Sequence, residues 1–202
     1  MGTVSQQNPR ERMIQSALVL LGQNGVEGTS FSQVIKHSGA PRGSIYHHFP
    51  GGKAQLVEEA TRYAGDMVVN LAAAQLDTDD PLSGLRAIGA FWRQVLHDSD
   101  FAAGCPVLAA SLESRDLPGA REAACEAFER FQDVHFQLLR RAGIEEDRAR
   151  SLAATAVSAV EGAIILARAQ RSNEPLQRTL DELSLLFDQA VSQAKEERQA
   201  KQ

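Results

Sequence analysis

The residue types best suited to chemistry are concentrated in one stretch, PRGSIYHHFPGGK, residues 41–53. Two prolines and three glycines bracket Arg42, Ser44, Tyr46, His47 and His48, and Lys53 closes the segment. Such a mixture suits a phosphate cradle, a histidine site for metal or proton transfer, or the polar face of a short helix. The cradle fails on spacing. In a GxxxxGK loop ending at Lys53 the first glycine would fall on residue 47, which is His, and Ala54 stands where a Ser or Thr belongs. A metal site from His37, His47 and His48 lacks a Cys or carboxylate ligand close by in sequence. A hydrolase built on His135 or on the His47–His48 pair finds no GxSxG or HExxH, and no Rossmann fingerprint points to other catalysis. The chain is therefore not read as an enzyme, and neither a cofactor nor a metal is expected.

The elements that must position this stretch all read as helices. The 202 residues are 43% hydrophobic and 23% charged with only 5% aromatics, the balance of an ordinary globular protein rich in helix formers. Residues 10–24 place Met13, Ile14, Ala17, Leu18 and Leu21 on one stripe, and Gly25 ends them. TSFSQVIKHSG starts on hydroxyl caps, buries Phe31, Val34 and Ile35, and stops at Gly39. Pro41 suits the first turn of the next, short helix, where its missing N–H costs nothing. Ile45 and Phe49 face inward there, before Pro50-Gly51-Gly52 breaks it. A longer helix from about Lys53 carries Leu56, Ala60, Tyr63 and Met67 on one face, with no side-chain cap at its start. LDTDDP marks the next boundary. It lacks the ligand spacing of a calcium loop, and Asp80 reads as the cap of a helix with Pro81 at its first position. Further helices follow at 81–97, 102–113, 118–142, 145–170 and 175–194, and the last residues, KEERQAKQ, are expected to fray. The fold class is all-α with about nine helices: an N-terminal three-helix domain over residues 1–53 and a C-terminal helical domain over 54–202.

Charge separates the two. Residues 1–53 hold five basic residues (Arg10, Arg12, Lys36, Arg42, Lys53) against two acidic ones (Glu11, Glu27), whereas the whole chain carries −5. The basic end is a candidate contact surface for a phosphate backbone, which the acidic remainder would repel. No apolar run approaches the roughly 18 residues that span a bilayer, and MGTVSQQNPRER lacks an export segment. Gln6 stands where a myristoylation signal wants Ser or Thr. A cytoplasmic protein with no membrane partner is expected. Cys105 and Cys125 lie 20 residues apart with no CxxC pairing and read as buried thiols.

A helix ending at Gly39, a tight turn and a second helix showing Arg42, Ser44, His47 and His48 make a helix-turn-helix unit. Arg in a major groove can bond guanine edges in a forked fashion, and Ser44 is short enough to reach a base or phosphate. Gly43 lets backbone come close, while Tyr46, His47 and His48 offer donors to flanking phosphates. Lys53 adds a charge contact.

The stretch GVEGTSFSQVIKHSGAPRGSIYHHFPGGKAQLVEEA resembles the DNA-binding domain of TetR-family transcriptional regulators. The likeness covers about residues 10–60 and rests on Gly25, Thr29, Ile35, Gly39, Gly43, the Tyr46–His48–Phe49 group, Lys53 and Leu56. It implies a homodimeric repressor that binds double-stranded operator DNA and is released by a small molecule. By position, Arg42, Gly43, Ser44, Tyr46 and His47 look like the operator-facing set, and Thr29, Ser30 and Lys53 like backbone clamps. Pro50-Gly51-Gly52 puts three residues between Phe49 and Lys53 where the family usually has two, and Pro41 replaces the usual capping hydroxyl. With GCPVLAASLE (104–113) and EGAIILARAQRSNEPL (161–176), this resembles the branch containing LmrA- and YxaF-type repressors.

The acidic part is expected to hold an effector pocket between helices, lined by Phe91, Trp92, Val95, Cys105, Phe128, Phe131, Val134, His135, Leu138, Val157 and Glu161. His135 and Glu161 are polar groups on otherwise apolar faces, and the effector is expected to be largely apolar. Helix 145–170 is rich in small residues, and the last helix has a stripe at Leu176, Leu180, Leu183, Phe187 and Val191. A two-fold four-helix interface is expected from these two helices, through Ala156, Ala159, Ala163, Leu176, Leu180, Leu183 and Phe187.

Overall fold

The computed structural model describes residues 8–76, 78, 80–113 and 115–200. The first seven residues, read above for export and acylation signals, lie outside them, as do Asp77 and Asp79 of LDTDDP and the last two residues of the tail. Among the described residues there are nine helices and no strand: α1 Pro9–Asn24, α2 Phe31–Ser38, α3 Ser44–His48, α4 Gly52–Ala73, α5 Ser83–Asp98, α6 Pro106–Glu113, α7 Pro118–Arg141, α8 Glu146–Gln170 and α9 Glu174–Gln199. They form two compact units. One comprises residues 1–64 and 105–125, the other 65–104 and 126–202. The domain boundary expected at residue 53 thus falls inside the first unit.

In the first unit, Ser30 and Gln33 build a full capping box at the start of α2, each side chain answering the other residue's backbone N–H. Gly39 ends α2 in the left-handed region, at φ 64°. Pro41, expected inside α3, lies just before it. The Pro41 carbonyl accepts both the Ser44 N–H (3.0 Å) and the Ser44 hydroxyl (2.7 Å), so the chain makes a turn first and the helix starts at Ser44. Ile45 and Phe49 then drop into the core at 1% and 0% exposure. Each such burial stabilises by about 1.5–3 kcal/mol. Gly52 sits at φ 71°, a conformation unfavourable for any residue with a Cβ, and it lets the Pro-Gly-Gly turn feed directly into α4. The cap expected to be absent comes from the other side: Gln55 reaches back and accepts the Gly51 N–H at 2.9 Å. Along α4, Leu56 and Ala60 are buried as expected, but Tyr63 and Met67 are 40% and 37% exposed. The buried stripe runs instead through Val57, Thr61 and Ala64. Helix α6 packs on α1, and Glu113 at its end accepts the Glu27 N–H at 3.0 Å.

In the second unit, α5 begins two residues later than expected. Asp80 accepts the Leu82 N–H (3.0 Å) with its carboxylate, organising the turn ahead of the helix. Helix α6 of the first unit likewise starts late, at Pro106, after Asp100 and Phe101 adopt φ of 50° and 61°. Glu145 caps α8 by accepting from Asp147 and Arg148.

Helices α5, α8 and α9 pack on one another. The apolar stripe assigned above to a dimer interface is used here. Ala156, Ala163, Leu176, Leu180, Leu183 and Phe187 are all buried within this unit, and Ala159 is half-buried. Leu180 shows why: α5 offers Gly89, whose added Cβ would meet Leu180 Cδ1 at 2.5 Å, so α9 seats its leucine on a bare backbone of its own chain. On α8 and α9 the large apolar residues left outward, among the described residues, are Ile165 and Leu166 (51% each) and Leu185 (55%). No uninterrupted apolar run of that length occurs in α8, although an 18-residue window of it reaches a mean hydropathy of 1.5, enough by length and composition to cross a membrane. Leu152, Val160 and Ile164 and several of its alanines are buried, as in the core helix of a packed unit.

Candidate nucleic-acid interface and ligand cleft

The surface around α3 begins with what holds it. Buried Ile45 and Phe49 fix one side of the helix, so the intervening residues must face out. Arg42, Gly43 and His47 are exposed, and Ser44 and His48 are half-buried. Tyr46 is 69% exposed, its ring steadied by an edge contact with Phe31 of α2 at 5.5 Å between centroids. His47 and His48 stack edge to face at 5.4 Å. Ser44 gives its hydroxyl proton to Pro41, which leaves its oxygen as an acceptor only.

Two residues of the basic end and its clamps have partners within the chain. Thr29, read as a backbone clamp, is 2% exposed and its hydroxyl donates to the Gly25 carbonyl at 2.7 Å; it closes the α1–α2 loop from inside. Arg10, counted in the basic surface, pairs with Glu59 at 2.5 Å and lies over the Phe49 ring, 5.3 Å from its centroid. Ser30 stays exposed beside the capping box, and Lys53 is half-buried in the first turn of α4. One residue counted in the basic end but not singled out lies beside α3. Lys36 of α2 shares a surface concavity with Phe31, Arg42 and Tyr46, which adds a second cation to the α3 face. Its place in the last turn of α2, just ahead of Gly39, would have shown this only with the angle between α2 and α3 known.

In the second unit, a cleft is lined by α4, α5, α7 and α8. Of the residues expected there, Trp92, Phe131, Val134, His135, Val157 and Glu161 line it. Phe91, Val95, Phe128 and Leu138 are not among its lining. Phe91 and Phe128 instead make edge contacts with Trp92 (5.2 Å) and Phe131 (5.8 Å), standing behind the wall. Cys105 belongs to the first unit, where its sulfur accepts the Leu108 N–H at 3.4 Å. Cys125, expected to be buried, is exposed. Val68, Val69 and Ala72 of α4 were missed, because the stripe read on that helix was centred on Tyr63 and Met67. Ala156, placed above at a dimer contact, also lines the cleft.

His135 is buried, and its Nδ1 lies 3.0 Å from the Phe131 carbonyl one turn earlier. Burial pushes its pKa below the usual histidine value, against a smaller upward pull from that hydrogen bond. The ring is thus neutral near pH 7, with the proton on Nδ1 and a lone pair on Nε2.

The arrangement is that of a helix-turn-helix regulator, and the chain belongs to the TetR family of transcriptional regulators. Residues 13–60 match the family model described as bacterial regulatory proteins, tetR family. Residues 81–182 match the LmrA/YxaF-like transcriptional regulator C-terminal domain, which places the chain in that branch. It is 44% identical over 176 residues to the HTH-type transcriptional regulator Rv0196 of Mycobacterium tuberculosis, covering 84% of this chain and 89% of the relative. With LmrA of Bacillus subtilis it shares 34% identity over 170 residues, 83% of this chain and 90% of the other. Among solved structures, the regulatory protein TetR from Rhodobacter sphaeroides superposes with a TM-score of 0.78 at 25% identity, over 87% of this chain and 96% of that one.

Proposed function

We propose that this TetR-family regulator is a homodimeric repressor of the cytoplasm, released from its operator when a small molecule enters the cleft of the second unit. The observation that carries the reading is the α3 surface: buried Ile45 and Phe49 hold a helix on which Arg42, Tyr46 and His47 stand exposed, beside Lys36. Arg42 would read a base edge, and Tyr46, His47, Lys36 and Lys53 would bind phosphates. Two copies of α3 would enter half-sites about 34 Å apart. Ile165, Leu166 and Leu185 would meet their counterparts in a second copy, a face distinct from the stripe used inside the chain. A ligand that favours a different spacing of the two reading helices would empty the operator by shifting populations.

The test is a gel shift of the intergenic DNA beside the gene across a salt series. Affinity that falls steeply and linearly on a log–log salt plot supports the reading; salt-insensitive or absent binding would point to a helical adaptor that recognises protein. Light scattering at micromolar concentration reports the dimer, and a strictly monomeric species would remove the α8–α9 interface.

A further inference from the structure

The cleft's polar inventory is short and one-sided. Apart from Trp92, whose indole N–H is a donor, its polar side chains among the described residues are His135 and Glu161, with no lysine or arginine in the lining. His135 commits Nδ1 to the Phe131 carbonyl, so the ring offers Nε2 as an acceptor and no positive charge. Glu161 brings a carboxyl from α8. An anionic ligand would meet no cation on this wall, and its desolvation would go uncompensated. A hydroxyl would find the His135 Nε2 lone pair in an otherwise apolar wall, where an unmade hydrogen bond is costly.

Resting on the reading of this cleft as the effector site, we propose that it takes a neutral, largely apolar molecule presenting a hydrogen-bond donor to His135, and that it rejects carboxylates. The enclosed cavity is only about 30 Å³, space for a water or two. A ligand of one or two rings therefore has to widen the gap between helices, and that widening is the differential interaction through which it selects a conformation.

Trp92 is the single tryptophan of the chain and lies in the cleft wall, so its emission reports occupancy directly. Full-length protein is titrated with 4-hydroxybiphenyl, 4-methoxybiphenyl and biphenyl-4-carboxylate, three probes of similar shape that differ in donor and charge. The hydroxyl probe should bind about tenfold more tightly than the methoxy probe, the worth of one buried hydrogen bond, and the carboxylate should bind most weakly. His135→Phe should bring the hydroxyl-to-methoxy ratio to about one, whereas His135→Gln, which keeps an acceptor, should preserve it. Equal or tighter binding of the carboxylate overturns the proposal. So does an unchanged ratio in His135→Phe, or no Trp92 response to any probe. Gel shifts run with the same probes separate the two readings. A hydroxyl probe that fills the cleft without releasing DNA counts against the effector role alone; a carboxylate that fills it and releases DNA counts against the donor class alone.

Discussion

The α3 surface and the cleft of the second unit are built on opposite plans. Around α3 the apolar residues are inside and the polar ones outside, so donors stand in water over a packed support. For Arg42 and His47, the proposed DNA binding needs only an exchange of water for phosphate or base. In the cleft the polar groups are inside, and each was desolvated when the chain folded; His135 is neutral for that reason. The first surface should tolerate side-chain changes at the cost of affinity alone. In the second, a side-chain change alters folding and ligand choice together.

The largest expected effect lies under the exposed surface. Phe49→Ala removes a fully buried ring and should cost about 3–5 kcal/mol of stability, read by denaturant unfolding, with DNA binding lost as a consequence. Arg42→Ala should leave unfolding unchanged and weaken specific operator binding by about 1–3 kcal/mol while relaxing base preference. A loss of stability on that substitution would break the contrast between support and surface. Ser30→Ala removes the capping box of α2 and should cost about 1 kcal/mol of stability, seen in the same unfolding experiment. Lys36→Ala should weaken binding evenly across DNA sequences and lower the salt slope by about 1, the smallest of the DNA effects.

Burial gives His135, and through it the cleft, a pH signature. Its folded pKa is below the unfolded value, so the unfolded chain binds the proton more readily. The stability tied to the neutral ring is complete above about pH 6.5 and falls as pH drops below that value toward the folded pKa. Thermal unfolding between about pH 7.5 and 5.5 should show this slope, and His135→Phe should flatten it.

Much of the recognition unit was legible along the chain. The Ser30 cap, the Gly39 stop and the inward placing of Ile45 and Phe49 follow from local chemistry and helical period, and each stands in the structure. Those rules do not reach the partners of Thr29 and Arg10, the Gly25 carbonyl and a carboxylate 49 residues away, which come from loop closure and helix packing. The cleft was half legible. Trp92, Phe131, His135, Val157 and Glu161 stood out as large or polar residues on apolar helices, but Val68 and Val69 carry no local mark of a cleft wall.

By itself, then, the sequence determined the order of the helices, most of their ends and the charge that sets the α3 end apart. Those features depend on interactions within a turn or two of chain, where spacing and residue type suffice. Only the tertiary structure decided which side of each stripe meets its own chain. Leu180 rests on Gly89, which turns the stripe of α9 inward and leaves Ile165, Leu166 and Leu185 as the outer apolar face. It also assigned Cys105 to the first unit and set His135 neutral among apolar walls. A helical period states that a face is apolar. It does not state what covers that face, because the covering atoms come from distant parts of the chain and the energy depends on how closely they fit.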